Sequence, residues 1–287
     1  MNISANLYGL GPLIGYGIQN YLIALISKKY DTFKISLFLQ LFGFILTLLL
    51  FPFINVNIFN FPLFLKMSLS GLLFSLGSIT FIYGLKEGTA SIVTPIASSK
   101  AVITAILSFI FLKEKILLIK ILGILTTFSG IIFVSTDFKN LHSAKKINLE
   151  KGFKWAILTA ILWGTGLFFF STSSKESHWF TSNLYLRLWT TITFIILYPL
   201  FKTNKKFVFN KKFFKILLLA SIFDTMANIT LSMGFIYGDI SVVSVLSNGS
   251  SVVTVICSLI FLKEKLSFNQ IIGILLTIAG IIILSVI

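Results

Sequence analysis

The chain alternates between long apolar runs and short polar segments, and this alternation predicts its elements. The runs are about 20 residues long, the length that an α-helix needs to cross a bilayer. Splitting the chain at charge clusters and turn formers predicts an all-α membrane protein with ten transmembrane helices. Their ranges are 6–26, 33–53, 63–84, 91–112 and 117–136, then 155–172, 183–200, 213–237, 241–262 and 267–287.

One stretch of the chain occurs twice. Residues 107–135 read LSFIFLKEKILLIKILGILTTFSGIIFVS, and residues 257–285 read CSLIFLKEKLSFNQIIGILLTIAGIIILS, with no gap between them. Self-similarity of this length indicates a duplicated unit. The predicted organisation is a first repeat over 1–137, a charged linker over 138–152 and a second repeat over 153–287, each repeat with five helices. More weakly, Ile14-Gly15-Tyr16-Gly17 resembles Trp163-Gly164-Thr165-Gly166, which pairs Gly15 with Gly164.

An odd number of helices in each repeat has a geometric consequence. A chain that crosses a membrane five times emerges on the far side, so the second repeat must insert upside down relative to the first. Inverted repeats of this kind build transporters with a solute site near the middle of the bilayer. We therefore expect two inverted five-helix repeats with a solute pathway between them.

Glycines inside the apolar runs indicate close helix packing. Gly123 and Gly130, like Gly273 and Gly280, lie two turns apart on one helix face, where small residues let another backbone approach. Gly15, Gly17, Gly164 and Gly166 instead leave two interpretations open, helix packing or a bend that brings the backbone close to a solute. Pro95 removes a backbone donor and predicts a kink in the fourth helix.

Three ionisable side chains fall well inside predicted helices: Lys100, Arg187 and Asp224. A charge in the hydrocarbon layer is costly, so each requires a partner or a function. Asp224 could pair with Arg187 or Lys100, bind a cationic solute or take up a proton; the structural alternative is a buried ion pair that fixes helix register. Further polar or aromatic side chains in the runs complete the predicted solute or ion pathway: Asn228, Asn248, Asn183, Trp163, Tyr16, Gln19 and Ser98.

Composition and motifs exclude several functions. The net charge of +15 comes from short lysine clusters between apolar runs, which points to topology and anionic lipid rather than nucleic acid. We interpret Lys113-Glu114-Lys115 and Lys263-Glu264-Lys265 as solvated turns between helices that help to set the membrane topology. No cofactor is expected, and the sequence contains no nucleotide-binding loop, hydrolase motif or metal-ligand cluster. The single Cys257 excludes an intrachain disulfide, and the N-terminal segment lacks the features of a cleaved signal peptide.

The Phe-Leu-Lys-Glu-Lys turn, followed by Ile-Leu-Gly-Ile-Leu, resembles the Leu-Gly-Glu turn and glycine helix of the drug/metabolite transporter superfamily. Trp163-Gly164 resembles the Trp-Gly in the first helix of each repeat of EamA-type members. The resemblance covers the whole chain and implies a ten-helix carrier with alternating access for amino acids, metabolites, quaternary amines or drugs. It transfers no role to Lys100, Arg187 or Asp224.

The sequence therefore predicts a non-enzymatic secondary transporter for a small organic solute, as a monomer or homodimer in the inner membrane of a bacterium, with a proton or ion as candidate coupling species. A passive channel and an intramembrane lipid-modifying protein are the alternatives. Orientation is in conflict: the positive-inside rule places both termini outside, whereas the resemblance implies cytoplasmic termini. The lysines on the less basic side are Lys66, Lys113, Lys115, Lys120 and Lys175.

Overall fold

The computed structural model describes residues 8–27, 30–87, 90–115, 117–135, 149–200, 210–262 and 267–285, and every regular element in these ranges is a helix. The first repeat contains α1 (Leu10–Ser27), α2 (Thr32–Leu49), α3 (Phe61–Glu87), α4 (Ala90–Ser98), α5 (Lys100–Phe111) and α6 (Leu118–Ser135). The second contains α7 (Leu149–Lys175), α8 (Trp179–Leu197), α9 (Lys211–Tyr237), α10 (Ile240–Asn248), α11 (Ser250–Leu262) and α12 (Phe268–Ser285). Short 3₁₀ turns follow α2 and α8 at Phe51–Phe53 and Tyr198–Leu200.

Six stretches are long and apolar enough to cross a membrane: Leu10–Ser27, Thr32–Phe53, Phe61–Glu87, Gly152–Lys175, Lys211–Tyr237 and Ile240–Phe261. Three shorter apolar helices are Ile96–Phe111, Leu118–Val134 and Phe268–Leu284. Helix α8 is in neither group, and most of its side chains are buried against other helices. The outer surface is rich in exposed apolar side chains such as Ile110, Leu118 and Phe261, as expected where lipid replaces water.

The fourth and ninth predicted helices are not continuous, which corrects the prediction of single helices over 91–112 and 241–262. Turns at Ser99 and Gly249 split them into α4 and α5, and into α10 and α11. Ser99 and Gly249 occupy the same place in the two repeats. Pro95 precedes the first break, but the corresponding residue before the second is Val245, so proline alone does not explain the interruption.

Helices α6 and α12, which carry the duplicated glycines, pack against each other in opposite directions. A side chain at Gly123, near the start of α6, would collide with Leu284 near the end of α12. One at Gly130, further along α6, would collide with Thr277, earlier in α12. Contacts that advance along one helix and recede along the other define an antiparallel pair.

The α6–α12 contact is also reciprocal. A side chain at Gly280 would meet Thr127, and one at Gly273 would meet Val134, so the same positions face each other in both directions. Such a contact requires a local two-fold relation between the repeats. The predicted packing role of these four glycines is therefore confirmed.

The relation extends to α1 and α7 and corrects one alignment. The hydroxyl of Thr104 donates to the carbonyl of Gly164 over 2.9 Å, and the hydroxyl of Thr254 donates to the carbonyl of Gly17 over 3.0 Å. Thr104 and Thr254 occupy matching places, so Gly17 corresponds to Gly164, and Tyr16 corresponds to Trp163. The predicted pairing of Gly15 with Gly164 is wrong.

The chain turns collect at two ends of the molecule. We call one of them the Glu176 end; it is formed by residues 51–53, 112–115 and 176–178 and by Asp239. At this end Lys66 pairs with Glu176, and Glu114 contacts Ser241. The other is the Asp31 end, formed by residues 30–31, 85–87, 198–199 and 210. Residues 138–148 of the predicted linker lie outside the described residues, and α7 begins at Leu149 rather than at residue 155.

Candidate functional site

A cavity of about 350 Å³ lies where the two repeats meet. Helices α1, α2, α3, α7, α8 and α9 form its walls, and the breaks between α4 and α5 and between α10 and α11 contribute residues from a further side. Eight of the predicted pathway residues line it: Tyr16, Gln19, Lys100, Trp163, Arg187, Asp224, Asn228 and Asn248. The volume is that of a typical small-molecule site.

An ion pair crosses the cavity wall between α8 and α9. The guanidinium of Arg187 lies 2.5 Å from the carboxylate of Asp224, and both side chains are more than nine-tenths buried. A second guanidinium nitrogen of Arg187 donates to the side-chain oxygen of Gln40 over 2.7 Å. A buried pair is stable only when its remaining polar groups are bonded in this way. Of the partners that the sequence left open for Asp224, the structure selects Arg187.

Lys100 has a different environment. Its ammonium lies over the ring of Trp163, 4.8 Å from the ring centroid, and the indole nitrogen of Trp163 donates to the carbonyl of Phe74 over 3.1 Å. Among the described residues, no carboxylate forms an ion pair with Lys100. A cation–π contact compensates only part of the cost of removing an ammonium from water.

The helix breaks bring backbone ends to the cavity. Lys100 and Ser250 are the first residues of α5 and α11, where backbone amides carry partial positive charge. The side chain of Asn248 donates to the carbonyl of Ser98 over 2.7 Å, so it bonds a carbonyl at the opposite break. Ser98 itself does not line the cavity, and its hydroxyl bonds the carbonyl of Thr94 in its own helix.

Asn183 lies outside the cavity. Its side-chain amide donates to the hydroxyl of Ser232 over 2.6 Å and to the carbonyl of Trp179. Both Asn183 and Ser232 are buried near the Glu176 end. The corresponding residues of the first repeat are Ser36 and Ile82, and these two line the cavity near the Asp31 end.

The cavity extends toward the Asp31 end and not toward the Glu176 end. Its lining reaches Thr32, which lies at the surface and is the first residue of α2 at the Asp31 end. In the other direction it stops at Phe170 and Leu231, which are buried. The gap between α2 and α3 is therefore accessible, while the matching gap between α8 and α9 is closed by the Asn183–Ser232 hydrogen bond.

Some site residues were missed by sequence reasoning. Gln40 accepts the Arg187 hydrogen bond and occupies the place in α2 that Arg187 occupies in α8. The sequence signal that could have identified Gln40 is a lone amide inside an apolar run.

Glu114, interpreted from sequence as a turn residue, accepts hydrogen bonds from the backbone amides of Ile240 and Ser241 and from the Ser241 hydroxyl. It thereby caps α10 from the other repeat. Residues 263–266, which include Lys263-Glu264-Lys265, lie outside the described residues.

The mid-helix glycines favour packing over solute approach. Gly17 faces the carbonyl of Ser250, and Gly164 faces the carbonyl of Lys100, each at 2.9 Å from where a Cβ would lie. Gly15 faces Ala227 of α9. These glycines let α1 and α7 approach the two helix breaks, and none of them lines the cavity.

Comparison with known proteins agrees with the two-repeat organisation. The model of the EamA-like transporter family matches residues 3–136 and 150–286. An uncharacterised protein of Methanocaldococcus jannaschii is 32% identical over 133 residues. That match covers 46% of this chain and 96% of the relative, so the relative is about one repeat long.

A solved crystal structure, described as "Crystal structure of protein", has a TM-score of 0.79 to this chain at 15% identity, over 100% of this chain and 98% of the other. At that identity the similarity speaks for the fold alone. The family match, in contrast, spans both repeats, and together with the apolar helices it describes an integral, multi-pass membrane protein. The chain belongs to the EamA-like transporter family.

Proposed function

We propose that the protein is a secondary transporter that moves a small organic solute across the membrane by alternating access. The observation that supports the proposal most directly is the central cavity, which lies between two repeats of opposite direction. Among the described residues, it reaches the surface at the Asp31 end and is closed between α8 and α9 at the Glu176 end. A local two-fold relation allows a mirror state, in which the gap between α2 and α3 closes and the gap between α8 and α9 opens. Exchange between these states carries a bound solute across.

Ten membrane crossings follow if each pair of half-helices counts as one crossing. The start of α1 and the end of α12 then lie at the Glu176 end, and the second repeat is inverted relative to the first. The antiparallel α6–α12 contact supports this arrangement. Amino acids, quaternary amines and other small metabolites remain candidate solutes, in either direction of transport, and a proton or ion is the candidate coupling species.

The chemistry of the cavity favours a carrier over an enzyme. Members of the family are transporters, and the charged groups of the lining are an ion pair and a lysine rather than a nucleophile with a base. The walls combine aromatic rings, such as Phe74, Phe81 and Phe194, with amide and hydroxyl groups. This mixture suits a small solute with one apolar and one polar part.

The test begins with purified protein and a panel of L-phenylalanine, L-leucine, L-serine, choline, uridine and glucose. A compound that binds the folded state raises the melting temperature. The best binder is then followed in proteoliposomes, where we expect saturable exchange that Asp224→Asn abolishes without loss of folded protein. Unitary conductance across a planar bilayer, without saturable exchange, would instead establish a channel.

A further inference from the structure

We infer that the cavity selects solutes that carry one negative charge, a carboxylate, and that Lys100 is the residue that binds it. This inference rests on the proposed function and narrows it to one substrate class. The charge of the cavity lining supports this assignment. Its charged side chains, among the described residues, are Lys100, Arg187 and Asp224. Arg187 and Asp224 neutralise each other at 2.5 Å, so one positive charge remains.

The local two-fold relation between the repeats also supports a binding role for Lys100. Ser250 occupies in the second repeat the place of Lys100 in the first, and Phe74 occupies in the first repeat the place of Asp224 in the second. At each of these two positions, therefore, one of the two repeats builds the same helix without a charge. The fold does not need Lys100, whereas an ammonium kept inside a bilayer is costly. A ligand carboxylate would offset that cost.

The surroundings of Lys100 fit an anion. Lys100 is the first residue of α5, and the partial positive charge at the start of a helix favours an anion there. Trp163 contacts the side chain from one side. Ser250 and Asn248 also line the cavity, and the Ser250 hydroxyl and the second amide hydrogen of Asn248 can donate to an anion. The aromatic walls then accommodate an apolar group attached to the carboxylate.

The experiment compares ligands of one shape and different charge. The probes are 3-phenylpropionate, 3-phenylpropionamide and phenethylammonium, with hexanoate, hexanamide and hexylammonium as a second set, and binding is measured by calorimetry on the purified chain. We expect both carboxylates to bind more tightly than the matching amides, and the ammonium compounds to bind least. In Lys100→Met the carboxylates should bind roughly 10- to 100-fold more weakly, with little change for the amides. Lys100→Arg should retain the order of charge preference.

Several results would overturn the inference. Equal affinity for carboxylate and amide, preference for the ammonium compounds, no binding by either carboxylate, or an unchanged order in Lys100→Met would each do so. Tighter binding of phenyl phosphate than of 3-phenylpropionate would mean that the cavity prefers a dianion to a carboxylate. If the carboxylates bind but never exchange across vesicles, the transport proposal fails while the assignment of Lys100 stands. Saturable exchange of choline without binding of either carboxylate would support the transport proposal and overturn the assignment of Lys100.

A second, independent observation concerns the ion pairs outside the cavity. Lys66 pairs with Glu176, and Lys120 pairs with Asp239 over 2.8 Å. Both pairs lie at the Glu176 end, which is the closed end, and Lys120 has no exposed side-chain surface. Lys120 also donates to the carbonyl of Lys115. These contacts join α3 to the end of α7, and α6 to the start of α10.

The corresponding positions at the Asp31 end cannot form either pair. Gln270 and Thr89 stand in the places of Lys120 and Asp239, and Ile216 and Lys29 stand in the places of Lys66 and Glu176. By sequence, therefore, a mirror state would lose these two ion pairs without forming them again at the corresponding positions. We propose that this asymmetry makes the state closed at the Glu176 end the resting state of the carrier. The pair with the buried Lys120 should matter more than the exposed Lys66–Glu176 pair.

The test replaces Lys120 and Asp239 by the residues of the other repeat, as Lys120→Gln with Asp239→Thr. Reporters are Leu231→Cys and Phe81→Cys, corresponding lining positions of α9 and α3 on the closed and open sides, each in a Cys257→Ser background. We expect the exchanged pair to raise maleimide labelling several-fold at Leu231→Cys and to lower it at Phe81→Cys. Lys175→Gln, an exposed charge at the same end, is the matched control and should change neither rate. Unchanged labelling in the folded double variant, or parallel increases at both reporters, would overturn the proposal.

Discussion

Asn248 donates a 2.7 Å hydrogen bond to the carbonyl oxygen of Ser98, and these two residues occupy the same place in the two repeats. Corresponding residues can touch only where the local two-fold axis passes. The axis therefore runs through the two helix breaks, beside the cavity. Gln40 and Arg187, a second corresponding pair, are also hydrogen-bonded to each other, so the axis passes through the opposite wall as well.

Loss of the Asn248 side-chain amide should weaken the contact between the two helix breaks. Asn248→Ala leaves the Ser98 carbonyl without this donor, and we expect the free energy of unfolding to fall by about 1–3 kcal/mol. Thermal denaturation of the detergent-solubilised protein measures the change. Ser98→Ala is the matched control, because the Ser98 hydroxyl bonds the Thr94 carbonyl within α4, and it should change stability by less than about 0.5 kcal/mol. Equal losses in the two variants would contradict this account of the contact.

The helix breaks are a feature that the sequence pattern did not predict. The apolar runs predicted helices around each break correctly, because burial in lipid imposes that pattern. Contacts between the repeats lie beside the breaks: Asn248 bonds Ser98, and Thr254 bonds the Gly17 carbonyl. Such contacts join residues far apart in the chain. Proline suggested a distortion in one of the two helices but not in the other.

The candidate site was predictable as a set of residue types. Charges and amides inside apolar runs are costly, and that cost alone pointed to Lys100, Arg187 and Asp224. The partners were not predictable, since a helix period does not tell which neighbour a side chain faces. Glu114 is the clearest example: its contact with Ile240 joins residues 126 positions apart, and in sequence Glu114 resembles any solvated turn carboxylate.

The buried ion pair should show strong coupling. Arg187→Gln and Asp224→Phe each leave one charge of the pair unpaired, so each should lower the free energy of unfolding by about 3–5 kcal/mol. The double variant Arg187→Gln with Asp224→Phe installs the residues that the first repeat carries at the corresponding places, Gln40 and Phe74. We expect it to be more stable than either single variant. Denaturation of all three in one detergent measures the coupling, and additive losses would mean that the two charges do not stabilise each other.

The glycine contact between α6 and α12 should tolerate no side chain. A Cβ at Gly273 would lie 2.5 Å from the backbone nitrogen of Val134, and one at Gly130 would lie 2.7 Å from the carbonyl oxygen of Gly273. Backbone cannot move aside as a flexible side chain can, so Gly130→Ala and Gly273→Ala should each cost about 1–3 kcal/mol. Gly166→Ala, whose nearest neighbour is a side chain at 3.2 Å, is the control with a smaller expected loss. Melting temperatures of the three variants give the comparison, and equal shifts would argue against close backbone packing.

The turn between α5 and α6 contains a strained lysine. Among the described residues, Lys113 is the non-glycine residue with positive φ, at 51°. This conformation costs an L-residue about 1–2 kcal/mol, whereas glycine adopts it freely but loses more freedom on folding, by about 0.5–1 kcal/mol. Lys113→Gly should therefore stabilise the protein by roughly 0.5 kcal/mol. Lys115 lies in the same exposed turn but does not have positive φ. Lys115→Gly therefore increases the conformational entropy lost on folding without relieving strain, and it should be neutral or destabilising. Thermal denaturation of both variants separates the two effects, and a lower melting temperature for Lys113→Gly than for the wild type would show that the strain at Lys113 is smaller than its backbone geometry implies.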